Sequence, residues 1–196
     1  RRQRQMCIRD SGMGDGLEAV KEAAAAEKNI VISPSGIAAA KYLKQKFGTP
    51  YEVFCPPEII PEWKERKEQL EHSEQIEQNT AMPNRKERSD KKVLIVHQQV
   101  LANTLREELL TLAMEQKIET DFAKITVASW FMLDDALKKE GDILFKEEDD
   151  WISYIKENEY DIIIADPLLK KAVPFYKGEW YDLPHFAISG KKRQTV

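Results

Sequence analysis

NIVISPSGIAAAKYLKQKFGTPYEV occupies residues 29–53. Ile30, Val31 and Ile32 form a short apolar run, which Ser33-Pro34-Ser35-Gly36 interrupts. Ile37, Ala40, Leu43 and Phe47 then recur at three- and four-residue steps, which marks one face of a helix. Gly48 is a natural helix stop, and Pro50 follows it closely. Residues 51–54 read as a second short strand, ended by Cys55-Pro56-Pro57. Two strands joined by one helix in so short a span predict a parallel crossover unit.

The pattern restarts downstream. KVLIV (residues 92–96) is a strand, and Leu101, Leu105, Leu109 and Leu112 line one face of a helix over 100–114. Residues 125–128 make a strand, 132–139 a short helix and 142–145 an edge strand. The helix expected over 147–158 has an acidic first turn (Glu147, Glu148, Asp149, Asp150), which suits the positive end of the helix dipole. Trp151, Ile152 and Ile155 are its inward residues. YDIIIA (160–165) is the most buried-looking strand; Asp166-Pro167 opens another helix, and residues 179–182 form a last strand.

Strands alternate with helices, and several strands are apolar on both faces, as in parallel sheets covered by helices. The expected fold is α/β, with Rossmann-like parallel sheets in two lobes. Residues 1–15 read as a flexible segment, 16–78 as a partial Rossmann-like lobe, 79–90 as a linker, 91–190 as a second Rossmann-like domain and 191–196 as a tail. Within the first lobe, 17–27 is an alanine-rich helix and 58–78 a highly charged one.

The composition excludes some partners. With 42% hydrophobic residues, a packed core is feasible in 196 residues. The net charge of −4 gives nothing that recruits nucleic acid or an anionic membrane globally. No apolar run approaches a membrane span, and no signal-peptide stretch opens the chain. Cys7 and Cys55 stand far apart and make no disulfide framework, which suits a cytoplasmic location. The chain begins with Arg, so it reads as a fragment of something longer.

Open parallel sheets gather ligands beyond the carboxyl ends of their strands. That rule selects Ser33, Ser35 and Gly36 after the first strand, His97 and Gln98 after KVLIV, Asp166 after DIIIA, and His185 after the last strand. The serines supply hydroxyls at a helix N-terminus, a ready anion site, although helix capping alone explains the residue types. His97 stands where nucleotide-binding folds place their first glycine; an imidazole there can ligate, move protons or hydrogen-bond, or simply be a satisfied polar residue. Cys55 is a weak metal candidate, with no neighbouring Cys or His. His72 lies mid-helix among charges. Gly12, Gly14 and Gly16 only loosely echo a phosphate loop, since Leu17 stands at the third glycine's place. No metal, Walker or hydrolase motif is present in the sequence.

The stretch at 29–53, with its Lys46-Phe47-Gly48-Thr49-Pro50-Tyr51 ending, resembles the nitrogenase component 1 family. That family comprises the molybdenum–iron protein subunits, cofactor-assembly scaffolds and protochlorophyllide reductase-like subunits. KKVLIVHQQVLANTLREEL, YDIIIADPLLKKA and WYDLPHFAISG are similar to elements of the family's last domain. The resemblance spans roughly residues 17–190, without any single highly specific motif. Ile32-Ser33-Pro34 replaces a turn in which catalytic subunits carry a cofactor-binding cysteine, and His97-Gln98 replaces a glycine-aspartate. The chain thus resembles a divergent member or a C-terminal fragment.

The resemblance implies an oxidoreductase subunit whose interdomain cleft binds a metal cluster or reducible substrate. Electrons would come from an ATP-driven iron–sulfur reductase. It implies an iron–sulfur or related cluster in the full-length assembly, with none expected in this fragment alone, which would by itself be inactive. The implied partners are that reductase and a homologous or identical subunit. Two alternatives stand beside it: a non-catalytic scaffold for metallocofactor assembly, and a doubly wound small-ligand-binding module with no redox role.

Overall fold

A computed structural model describes residues 23–56, 90–114 and 121–185. The segments read above as flexible (1–15), as a charged helix (58–78) and as a tail (191–196) lie outside the described residues, as do His72, Cys7 and Gly12, Gly14 and Gly16. So does the expected linker, except for Asp90, which opens a strand. Of the helix expected over 17–27, the described part is a 3-10 turn, Ala23–Ala25.

Two parallel sheets form. In the first, β1 (Asn29–Val31) pairs with β2 (Tyr51–Val53) in the register Asn29↔Tyr51, and α1 (Ile37–Phe47) makes the crossover. Helix α1 ends where the sequence predicts, on Gly48 in the left-handed region at φ 76°, whose N–H donates to the Lys44 carbonyl. Ile37 and Ala40 bury its inner face with Val31, whereas Phe47 is 53% exposed and leaves the predicted stripe. Strand β1 stops one residue before the apolar run does, and Ile30 and Ile32 are exposed.

The second sheet has five parallel strands in the order β5-β4-β3-β6-β7. These are β3 (Asp90–Val96), β4 (Asp121–Ser129), β5 (Ile143–Leu144), β6 (Ile162–Ala165) and β7 (Glu179–Asp182). The chain runs outward from β3 through β4 to β5. It then crosses back to β6 on the other side of β3, and ends at β7. Helix α2 (Gln99–Met114) follows β3, α3 (Glu148–Glu157) precedes β6, and α4 (Pro167–Ala172) follows it.

The period of two along the central strands explains the double covering. Val93 and Ile95 of β3, with Ile162 and Ile164 of β6, turn toward Val100, Leu101 and Leu105 of α2. Leu94 and Val96, with Ile163 and Ala165, turn the other way, toward Trp151 and Ile155 of α3 and Leu169 of α4. Helix α3 begins on a capping box, in which Glu147 caps the N–H of Asp150 and the Asp150 carboxylate accepts from Glu147 N–H.

One expected element does not form. Residues 132–139 are a loop with a turn, not a helix. Side chains of α2 take up backbone groups of Asp134 and Leu137, and Asp134 and Asp142 take up others. Gln99 donates to the Asp134 carbonyl at 3.0 Å and accepts from Asp134 N–H at 2.7 Å, and Asn103 donates to the Leu137 carbonyl at 3.0 Å. The backbone is satisfied without helical bonds, so the local periodicity is overridden.

Candidate functional site

Strands β3 and β6 are neighbours whose onward connections pass to opposite faces of the sheet. This is the point in a doubly wound fold where a crevice opens at the carboxyl ends. His97 directly follows β3, Asp166 directly follows β6, and His185 lies just past β7. All three are buried: His97 is 7% exposed, His185 3% and Asp166 0%. The structure therefore brings together three of the residues selected from the sequence.

Asp166 organises the group. Its Oδ1 accepts from Leu168 N–H at 2.8 Å, which caps α4. Its Oδ2 accepts from His185 N–H at 2.7 Å, which ties the segment after β7 to the end of β6. With both oxygens engaged by backbone, Asp166 acts as a brace. The ring of His185 then lies 4.4 Å from that of His97, centroid to centroid, tilted by 48°. Phe131, on the loop after β4, stacks 5.4 Å from His185 and is itself 63% exposed. The three rings run from solvent to the buried end of β3.

Both imidazoles are held neutral. Burial, followed by the neighbouring His185, pushes His97 down from 6.5 to about 4, against weaker support from the Pro184 carbonyl and Asp166. Burial also lowers His185, opposed by Asp166. The Nε2 of His97 lies 3.4 Å from the Pro184 carbonyl. A carbonyl only accepts, so Nε2 carries the proton and Nδ1 presents a bare lone pair. That Nδ1 is buried and has no hydrogen-bond partner among the described residues. Neutral imidazoles of this kind can accept or donate a hydrogen bond, or ligate a metal ion, but cannot supply a cation.

Gln98 has a role that sequence reasoning did not assign. Its Oε1 accepts from Val100 N–H at 2.9 Å, and its Nε2 donates to the Ile32 carbonyl at 2.6 Å. It thereby plugs the start of α2 and links the two sheets. Ser33 and Ser35 were expected to cap α1, but neither does. The residue preceding α1 is Gly36, there is no side-chain cap, and the two hydroxyls pair with each other at 3.0 Å. Gly36 serves close packing, since a Cβ there would come within 3.1 Å of Val31 Cγ1.

Cys55 is not drawn into this group. Its N–H donates to Thr104 Oγ1 at 3.1 Å, and its side chain joins the apolar core beneath α2. Burial raises its thiol to about 11, so it stays protonated at neutral pH. Among the described residues, no group of three or more His, Cys, Asp or Glu converges as a metal site needs. No described helix is long and apolar enough to cross a membrane.

The loop that carries Phe131 is clamped to α2. Besides Gln99 and Asn103, Arg106 forms a buried fork on Asp142, at 2.7 Å from Nη1 and 3.1 Å from Nη2. Asp142 also accepts from Val127 N–H and Lys139 N–H. Glu107 pairs with Lys139 at the surface. Gln99, Asn103, Arg106 and Glu107 recur at three-, four- and one-residue steps, a polar stripe beside the leucine stripe. That spacing was the available signal, but it reads equally as a solvated face. Next to this clamp is an open groove of ≈ 440 Å³, between Val53 and Phe54, α2 and residues 136–139.

No family model matches the chain, and no curated protein matches it.

Proposed function

We propose that the chain contributes a ligand cleft to an oxidoreductase subunit similar to nitrogenase component 1. In this reading the crevice beyond β3 and β6 holds the reducible substrate, and electrons come from an ATP-driven iron–sulfur reductase in the full assembly. The observation that supports the reading best is the meeting of His97, Asp166 and His185 at the switch point of the parallel sheet. Neutral imidazoles there can hydrogen-bond an uncharged, reducible substrate without adding charge to it.

A thiolate-ligated cluster does not fit the described residues. The one cysteine among them keeps its proton and packs in the core. In this reading the chain's own residues bind and orient substrate, and cluster ligands belong elsewhere in the assembly.

The same observation on Cys55 favours a second reading, a doubly wound module that binds a small organic ligand with no redox role. Anaerobic purification of the full-length protein separates the two. An iron–sulfur chromophore with reductase-dependent turnover, altered by His97→Ala, is the expected result. A colourless protein that binds an organic ligand sinks the redox reading, and cluster transfer to another protein without turnover replaces it with a scaffold role.

A further inference from the structure

Resting on the reading of this crevice as a ligand site, we infer that it takes an uncharged, apolar-bodied ligand that donates an N–H or O–H hydrogen bond to Nδ1 of His97. Three independent features converge on that chemistry.

The first is the orphaned acceptor. Nδ1 of His97 is buried with no partner among the described residues, in a side chain only 7% exposed. A bare buried lone pair is costly, so the site gains from a donor, whereas an anion would bring its charge to neutral imidazoles that supply no cation to offset it. The second is the closed helix start. In nucleotide-binding sheets the N–H groups at this turn receive a phosphate. Here Val100 N–H is already taken by Gln98 Oε1, and Gln98 is itself anchored on the Ile32 carbonyl. A phosphorylated ligand would have to displace this plug. The third is the rim. Phe131 stacks on His185 and remains largely exposed, beside the exposed Met132. An apolar body covers these two, while its donor reaches inward.

The test uses the full chain, labelled with nitrogen-15, and follows the imidazole nitrogens of His97 and His185. Three probes are titrated: indole, which has an N–H donor; N-methylindole, which has the same body without the donor; and inorganic phosphate. Indole is expected to shift His97 Nδ1 and to bind at least about ten-fold more tightly than N-methylindole. Phosphate is expected to leave both histidines unmoved. His97→Gln should abolish the preference for indole; thermal unfolding of that variant checks that it is folded, and the two-indole comparison needs no variant. Equal binding of the two indoles, or a Nδ1 satisfied by a buried water alone, overturns the inference. Phosphate binding that shifts Gln98 and Val100 overturns the ligand class but keeps a ligand site. No response to any probe overturns both the class and the site.

Discussion

The side chain of Asp166 accepts the backbone N–H of His185 at 2.7 Å, a bond that joins the end of β6 to the segment beyond β7. Both residues are nearly inaccessible to water. One carboxylate thus does two tasks, because its other oxygen caps α4 through Leu168 N–H. Removing it leaves one buried donor, His185 N–H, and one part-buried donor, Leu168 N–H, without their acceptor. Asp166→Ala should cost about 2–4 kcal/mol, the sum of a lost cap and an unpaired buried N–H. Asp166→Asn keeps one acceptor and should lose less. Urea unfolding of both variants checks the order, and an Asn variant no more stable than the Ala variant would count against the bracing role.

The paired imidazoles make stability depend on pH. His97 titrates at about 4 in the folded chain, against 6.5 without the fold. Between those values the unfolded chain binds the extra proton, so stability rises with pH. The contribution is fully present above about pH 6.5 and is lost as pH falls toward 4. The size of the shift corresponds to about 3 kcal/mol. His185, also lowered by burial, adds in the same direction. Urea midpoints measured across this range should fall steadily in the wild type, and the slope should flatten in His97→Gln. A His97 resonance that titrates near its ordinary value would remove the basis for this expectation.

The unbroken apolar runs in KVLIV and DIIIA made the sheet legible, because each strand is covered on both sides and shows no polar face. Strand ends then pointed to His97, Asp166 and His185 without any knowledge of their contacts. Other features were not legible. Met132, Leu133, Ala136 and Leu137 imitate helical spacing, yet α2 side chains bond the backbone of Asp134 and Leu137 from a distance. Capping was the natural reading of Ser33 and Ser35, and only coordinates show the two hydroxyls paired with each other. Gln98 caps its own helix by a bond that composition does not distinguish from simple exposure. Long-range pairs such as Arg106 with Asp142 leave only the polar stripe on α2, which reads equally as a solvated face.

That pair yields the next expectation. Arg106 and Asp142 are both buried, with side chains 4% and 0% exposed. Arg106→Met leaves the carboxylate without its counter-charge and should cost about 3–5 kcal/mol. Adding Asp142→Leu should not restore wild-type stability, because Val127 N–H and Lys139 N–H then lose their acceptor. A double variant as stable as the wild type would show that the fork, and not the backbone bonds, is what Asp142 is for. Chemical denaturation of the two variants decides it.

Cys55 offers a chemical test of the core. A thiol raised to about 11 is almost wholly protonated at neutral pH, and only the thiolate attacks disulfide reagents. Burial to 3% exposure adds a steric barrier. In a Cys7→Ser background, Cys55 should react with an aromatic disulfide at least about a hundred-fold more slowly in the folded chain than in urea, both at about pH 8. Thr104→Val removes the hydroxyl that accepts Cys55 N–H and should loosen this protection, through local opening of the segment after β2. Fast labelling of the native wild type would mean that Cys55 is available to a metal or a partner, which would reopen its candidacy as a ligand.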